Sequence, residues 1–466
     1  MIITFFRKGK YRGGNNITAS KVMLSITFVF LFAGARVSGQ SELTKLIHYS
    51  LEHSRSVKKS NLQIEESRYL RKETLGQGLP QIEASGKYSK MMLDKIEIPA
   101  SAYTMVPAEY APLLDQIANI DALYMVSGGI QVTQLLYSQA YIEGLKTTRK
   151  TQELYTLLKN KTEEEVIEEV AGNYYQAVSL SLQMRTVEKS LSNLQEMLRI
   201  ATLNYQNDMV KESSVNRLQV TVTNLEVTRQ TIKTGIELQI NYIKALAGMP
   251  ADTTINIDTT LITGNNALSI INPGFSIDNV PSFQVLLKQS EIYNQQVKVA
   301  QSKYYPTLAA FGQFNFSSYN TTTEISKWTN MNTIGLNLQV PIFSSGVNHA
   351  KVKQAKIKES QLQEDMLHTR DMLTVSYNNA HSEYQTALDL LGVQKENRDL
   401  AVKVYDQTAL QYKEGMASMA DLLNVNSDFL QADNSYNQQV LKCKLAEIKM
   451  LKATGNLKQL TNNKLN

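Results

Sequence analysis

The sequence has a single cysteine in 466 residues, Cys443, which excludes an intramolecular disulfide framework and any cysteine-rich zinc spacing. Histidine is nearly as scarce. His48 and His53 stand five apart, off the spacing of a helical metal pair, and His349, His368 and His381 are isolated, so all five read as surface or structural residues. HExxH, GxSxG, a P-loop and paired CxxC are all absent, which leaves an enzyme without a candidate constellation. No catalytic residue, metal or cofactor is expected. Long apolar runs are missing too: the longest, Val22 to Ala35, falls short of the roughly 20 residues a spanning helix needs. What remains is 42% hydrophobic and 20% charged residues, an ordinary folded composition that excludes wholesale disorder.

The net charge of +5 suggests an affinity for nucleic acid or an anionic membrane, until it is located. Arg7, Lys8, Lys10, Arg12, Lys21 and Arg36 surround the apolar run, which ends in Val37-Ser38-Gly39. This is the pattern of a secretory leader over residues 1–39, with a permanent N-terminal anchor as the alternative. Without those six cations and with no acid lost, 42 Lys and Arg face 43 Asp and Glu. The basic excess belongs to the leader, and nucleic-acid binding loses its support.

Only nine prolines occur, at 80, 99, 107, 112, 250, 273, 281, 306 and 341. The two long proline-free intervals, after Pro112 and after Pro341, permit helices of unusual length. Val352, Ala355, Leu362, Met366, Leu373, Tyr377, Ala380, Tyr384, Ala387 and Leu391 recur at steps of three, four or seven. With Glu359 and Thr369 as occupied steps, this is close to the 3.5-residue seam of a coiled coil. The runs Tyr141–Met209 and Ser344–Gly415 would each span roughly 100 Å as helices. An ordinary all-α bundle does not accommodate that length. Glu163, Glu164, Glu165, Glu168 and Glu169 read as a solvated helix face, and Met416 and Met419 as packing residues.

Four short segments switch to period two. Their apolar sides are Ile82, Ala84, Gly86 and Tyr88; Tyr124, Val126, Ile130 and Val132; Leu308, Ala310, Phe314 and Phe316; and Ile334, Leu336, Leu338 and Val340. Gln131, Thr133, Gln313, Asn315, Asn337 and Gln339 lie opposite, while Phe311 breaks the alternation. A half-exposed soluble sheet has this pattern, and so does an outer-membrane barrel with lipid outside and water inside. Tyr88, Tyr124, Tyr319 and Trp328 are candidates for an aromatic girdle. Four strands cannot close a barrel, and open edges cannot face hydrocarbon. Copies must share one, and a ring of three or more leaves a lumen.

The chain is also written twice. Pro80 matches Pro306 and Arg55-Ser56-Val57 matches Pro281-Ser282-Phe283, both at an offset of 226. Ile130-Gln131-Val132 matches Leu336-Asn337-Leu338 at 206, while Tyr205 matches Tyr412 and Gly248 matches Gly455 at 207. The first strand–strand connection, carrying Pro99, Pro107 and Pro112, is therefore 20 residues longer than the second. The expected division is a leader at 1–39, a first repeat at 40–249, a linker at 250–280 and a second repeat at 281–466.

Tyr412-Lys-Glu-Gly415-Met-Ala-Ser-Met-Ala-Asp421-Leu422-Leu423-Asn424 resembles the helix-turn-helix tip of the TolC family of outer-membrane efflux proteins. Leu338-Gln-Val340-Pro341-Ile342-Phe343 resembles that family's strand-to-helix junction, and Gly78-Leu79-Pro80-Gln81-Ile82 its helix-to-strand junction. The resemblance covers about 41–460. It implies a mainly α chain with a membrane β-barrel: a homotrimer, four strands per protomer in a shared twelve-stranded barrel, continued by a coiled-coil α-helical tunnel through the periplasm. The implied function is a passive exit duct for small molecules in a tripartite pump, or alternatively for type I protein secretion. The implied partners are a periplasmic adaptor, an inner-membrane transporter of RND, ABC or MFS type, and outer-membrane lipid. The implied setting is the outer membrane of a Gram-negative bacterium. A soluble periplasmic coiled-coil scaffold is the reading outside this family.

In such tips the acid matching Asp421 lies at the constriction, where three copies would form a ring that favours cations. Asp421 also suits a helix cap, and the sequence is compatible with both roles. The chain departs from the family at Asn424, in place of a second acid, at Ser214, in place of an Asp, and at Asp208, in place of a tip glycine. Tyr412, Gly415, Asp421, Asn424, Tyr205 and Ser214 are the candidate gate residues.

Overall fold

The computed structural model describes residues 42–94, 97–118, 120–259, 274–324 and 327–461, so the leader and the middle of the inter-repeat link lie outside the described residues. Two short helices open it, α1 Glu42–His53 and α2 Arg55–Gly76. Strand β1 Gln81–Met92 follows, then α3 Ala100–Met105, α4 Ala111–Ala118 and β2 Ala122–Ser138. A helical hairpin comes next, α5 Gln139–Gln206 and α6 Glu212–Ala247. The same order then recurs as α7 Pro281–Gln301, β3 Thr307–Asn320, β4 Thr329–Gln339, α8 Val347–Lys413 and α9 Met419–Ala453.

Local chemistry explains the boundaries. The hydroxyl of Ser138 caps α5 by accepting the Tyr141 N–H at 3.3 Å, and Pro281 occupies the first turn of α7, where no N–H is needed. With no proline to interrupt them, α5 runs for 68 residues and α8 for 67, roughly 100 Å each. Gly248 and Gly455 end the two hairpins in the left-handed region, at φ 70° and 69°. A Cβ on Gly248 would overlap the carbonyl of His53, and one on Gly455 would overlap that of Asn279. His53 and Asn279 are themselves repeat counterparts, so each hairpin closes on the start of its own helix–strand unit through a glycine.

The largest apolar core gathers around the middle of α5. Ile167, Val170, Ala171, Tyr174 and Val178 pack with Ile47 of α1, Ile243 and Ala247 of α6, Leu451 of α9 and Leu457 beyond it. Full burial contributes about 1.5–3 kcal/mol for each large side chain. The two long helices are covered unequally: α5 has 18 buried residues and α8 has five, although they are counterparts of nearly equal length. Helix α5 is flanked by α1, α2, α6, α7 and α9, whereas among the described residues α8 packs mainly on α7 and α9 and meets α5 at Tyr405 near the tips. The seam residues of α8 are the ones covered, while Ile357, Leu367, Val393 and Leu400 are 52–61% exposed.

The strands form one antiparallel sheet in the order β1-β2-β3-β4, with β1 and β4 as open edges. Among the described residues no helix is long and apolar enough to cross a membrane.

Candidate functional site

Pairing register sorts the sheet into two faces. Ile82 opposes Val132, Ala84 opposes Ile130, Tyr88 opposes Val126, and Phe314 opposes Ile130 from the other side. Directly opposed residues share a face, so the even-numbered residues of the four strands, in β2 as far as Gln134, share one surface that carries the apolar set, Ile334, Leu336 and Leu338 included. Glu83, Lys87, Gln131, Gln313, Asn315, Thr333 and Asn337 occupy the other, where Gln313 Nε2 donates to Gln131 Oε1 at 2.9 Å. Phe311, the exception to the alternation, lies on the polar face over Gly335 of β4, and Phe316 lies over Gly128 on the apolar one. Each ring covers the space where a side chain is missing.

Tyr88, Tyr124, Tyr319 and Trp328 all lie toward the end of the sheet away from the long helices. Tyr88, Tyr124 and Trp328 belong to the apolar face, Trp328 edge-on to Phe316 at 5.4 Å. Tyr319 opposes Met125 and shares the polar face with Ser317, because odd positions of β3 point that way. At the helix-proximal end the exposed aromatics include Tyr137, Tyr304, Tyr305 and Phe343, none of which sequence reasoning named for a girdle. Tyr137 reaches the apolar side through a register shift between Leu135 and Tyr137, which alternation alone cannot reveal.

At the opposite ends of the long helices are two tips. The α8–α9 tip turns at Gly415, φ 74°, and restarts with a reciprocal cap. Ser418 N–H and Oγ–H donate to Asp421 Oδ2 at 3.1 and 2.6 Å, and Asp421 N–H donates to Ser418 Oγ at 3.1 Å. Asp421 is thus the third residue of the helix rather than its cap. The Ser418 hydroxyl, then its N–H, hold the carboxyl below the ordinary carboxylate range. Asn424, one turn on, is exposed. The α5–α6 tip turns at Asp208, φ 58°, and Ser214 makes its backbone bond to Lys211.

Behind both tips lies one cluster, Met197, Ala201, Leu218, Tyr405, Leu422 and Phe429. Tyr412 packs against it, and burial raises its hydroxyl with no hydrogen-bond partner contributing. Its counterpart Tyr205 is exposed. Among the described residues, Tyr412 and Ser214 are not hydrogen-bonded to each other. Met419 joins the apolar tip cluster, whereas Met416 is 74% exposed.

Polar links tie the first hairpin to the second above the tips. Ser190 Oγ donates to Asn426 Oδ1 at 2.7 Å with both residues buried, and Thr186 Oγ1 donates to Asp433 Oδ2 at 2.6 Å. Asn193 Nδ2 donates to the Tyr405 hydroxyl at 3.3 Å. Their signal in the sequence is a polar residue at an apolar step, such as Ser190 beside Val187 and Leu194. The glutamate run is not one solvated face. Glu163 and Glu168 pair with Lys458 and Lys452, and Glu164 turns inward, where burial pushes it up to about 7 against the pull of Lys458 and Lys452. Five acids within seven residues span more than one helix face at 3.6 residues per turn.

Residues 275–456 match the family profile of outer membrane efflux proteins. Outer membrane protein TolC of Salmonella enteritidis is 17% identical over 356 residues, 71% of this chain and 72% of that one. The CmeC outer membrane channel of Campylobacter jejuni superposes with a TM-score of 0.71 at 16% identity, over 91% of this chain and 90% of its own. The MtrE outer membrane channel of Neisseria gonorrhoeae, in an open state, superposes with 0.68 at 14% identity, over 91% of each. These likenesses establish the fold: long helical hairpins joined to a four-stranded antiparallel sheet.

Proposed function

Taking as premise that the chain belongs with the outer membrane efflux proteins its residues 275–456 match, we propose that it is a passive exit duct in the outer membrane of a Gram-negative bacterium. Three copies share a twelve-stranded barrel continued by a periplasmic helical tunnel. The observation that carries this is the pair of open edges on a sheet with one apolar and one polar face. Strands of 11 to 17 residues are long enough to span an outer membrane, and β1 and β4 leave no edge bare only if each pairs with a neighbouring copy. The lopsided burial of α5 and α8 supports the same ring. Leu136 and Tyr137, beside the second repeat, are 53% and 38% exposed, while their counterparts Ile342 and Phe343, with no repeat beside them, are 94% and 86% exposed. A second copy stands where the next repeat would be.

The duct does no chemistry. Its cargo is small molecules delivered by a periplasmic adaptor and an inner-membrane transporter of the RND, ABC or MFS type, which supplies the energy. Type I protein secretion is the alternative use of the same duct. Residues 1–39 are the discarded leader, 40–249 and 281–466 the two repeats, and 250–280 their linker. Tyr88, Tyr124 and Trp328 serve as the outer girdle. The gate is the pair of tips, with Tyr205, Ser214, Tyr412, Gly415, Asp421 and Asn424, and three Asp421 carboxylates form its acidic ring. Planar-bilayer conductance of the purified oligomer tests both levels. A monomer without conductance would sink the duct. Asp421→Asn, which keeps a cap acceptor and removes the charge, should weaken block by multivalent cations; unchanged block rejects the ring alone.

A further inference from the structure

The two repeats differ in charge where their helices meet the sheet. Between Glu291 and Glu359 the only acid is Glu324, in the β3–β4 connection at the helix-distal end. At the opposite end of that hairpin the charges are all positive. Lys298 and Lys303 stand where α7 ends, and Lys351, Lys353, Lys356 and Lys358 fall within the first twelve residues of α8, all six exposed. The start of α5 also has cations, but it neutralises them: Lys146 pairs with Glu143, Lys150 with Glu291 and Arg149 with Glu153. Among the described residues no ion pair engages the four lysines of α8. They are concentrated at one level of a chain that is near neutral without its leader.

Helical phase shows which sides of α8 stay open. Val352, Ala355 and Glu359 form its seam toward α7, and Asn348, on the same line, donates from Nδ2 to Lys303 O at 3.4 Å. Tyr141, the counterpart of Asn348 at an offset of 207, likewise reaches from α5 to Leu75 O of α2. At about 100° per residue Ile357 lies opposite the seam, Lys353 and Lys356 on one flank, and Lys351 and Lys358 on the other. Ile357 matches Lys150, which reaches α7 through Glu291, so the Ile357 side is the one a next copy would cover. In a ring, one of the two flanks then faces outward and the other the lumen. Two lysines per copy face outward whichever flank that is. They begin within about 10 Å of the start of α8, just beyond the exposed Ile342, Phe343, Tyr304 and Tyr305, which in the duct reading mark the edge of the hydrocarbon. Lys353 and Lys356, three apart, repel each other unless an opposite charge screens them. Cations beside an apolar edge, with no acid to neutralise them, are complementary to a surface of anionic headgroups.

We propose that the lysines at the start of α8, with Lys303, form a collar that binds anionic phospholipid headgroups of the periplasmic leaflet. The proposal rests on the outer-membrane reading. Its test places the full-length oligomer in nanodiscs of equal parts phosphatidylglycerol and phosphatidylethanolamine, and native mass spectrometry then counts each lipid retained on release. Wild type should retain phosphatidylglycerol in preference. One double variant, either Lys351→Gln with Lys358→Gln or Lys353→Gln with Lys356→Gln, should cut that preference by about fivefold for each lysine removed, and the other should keep it. Lys395→Gln, at an exposed lysine roughly 70 Å from the start of α8, should change nothing. No preference in the wild type, no loss in either double variant, or an equal loss in both would overturn the collar. So would a preference abolished by inorganic phosphate but not by chloride of the same ionic strength, which would assign the lysines to a free anion. Conductance of the same samples separates the two ideas: a conducting oligomer without lipid preference rejects the collar alone, and a non-conducting monomer rejects the duct and the collar with it.

Discussion

At the first tip the residue in the left-handed region is Asp208, φ 58°; at the second it is Gly415, φ 74°. Two backbone bonds recur at both turns. Asp208 N–H reaches Tyr205 O and Met209 N–H reaches Asn204 O, as Gly415 N–H reaches Tyr412 O and Met416 N–H reaches Gln411 O. The chemistry after the turn then diverges. Helix α9 starts with Ser418 and Asp421 capping each other, while Lys211, at the corresponding position of α6, offers no side-chain cap. The second tip therefore has a turn that its own residues favour. The first holds the same turn against a left-handed cost and with uncapped N–H groups, stabilised by the apolar cluster it shares with its partner hairpin. One tip is locally encoded and the other is held by packing, so the first tip is expected to unfold locally at the lower cost.

The largest test removes the shared packing. Leu422 is fully buried in the tip cluster, while its counterpart Val215 is only partly covered. Leu422→Ala should cost about 2–5 kcal/mol and Val215→Ala clearly less, read as amide-exchange protection in each hairpin. Loss of Leu422 should loosen the first tip as much as the second; an effect confined to α9 would break the claim that packing holds the first tip. Capping is the next contribution. Ser418→Ala should lower protection of the first turn of α9 by about 1 kcal/mol, and Lys211→Ser should raise that of α6 by a similar amount. No gain from Lys211→Ser would mean that α6 begins too far from cap geometry for the difference to be chemical.

The same contrast explains how much was legible in the sequence. The long helices follow from absent proline, and the α8 seam follows from its spacing: every step from Val352 to Leu391, Glu359 and Thr369 included, is buried or half-buried. Both sheet faces follow from alternation. Gly415, Ser418 and Asp421 announce their turn, since glycine and a Ser-x-x-Asp start are the residues it favours. Asp208 does not, because its conformation is set by residues distant in the chain. The inward turn of Glu164 was hidden for a similar reason, since Lys452 and Lys458 approach it from almost 300 residues away. The role of Tyr137 depends on a register shift that only pairing can show.

A smaller effect isolates the backbone. Asp208→Gly relieves the left-handed residue of the first tip and should stabilise it by about 1 kcal/mol or less, because Asp tolerates that region better than most side chains. Gly415→Asp should weaken the second tip by a similar amount. Thermal melts of the oligomer would hide shifts this small, so exchange at residues 204–209 and 411–416 is the measurement. Changes of equal sign in the two variants would show that the tips are not backbone equivalents.

The smallest effect is a dependence on pH that one tip has and the other lacks. Asp421 is held below its ordinary value of 3.8 by the Ser418 hydroxyl and N–H, so the folded tip binds its proton less readily than the unfolded chain. Such a group contributes stability that is fully present above 3.8 and is lost as pH falls through the depressed value. Acidification below that point should therefore reduce protection of the first α9 amides, after correction for intrinsic exchange. The first α6 amides, with Ser214 where the second tip has Asp421, should show no such step. The carboxylate is exposed and the change will be slight, so Asp421→Asn is the necessary control: it should abolish the step. A step that survives this variant, or one that appears equally in both tips, would assign the pH dependence to the shared cluster and remove the chemical distinction between the two turns.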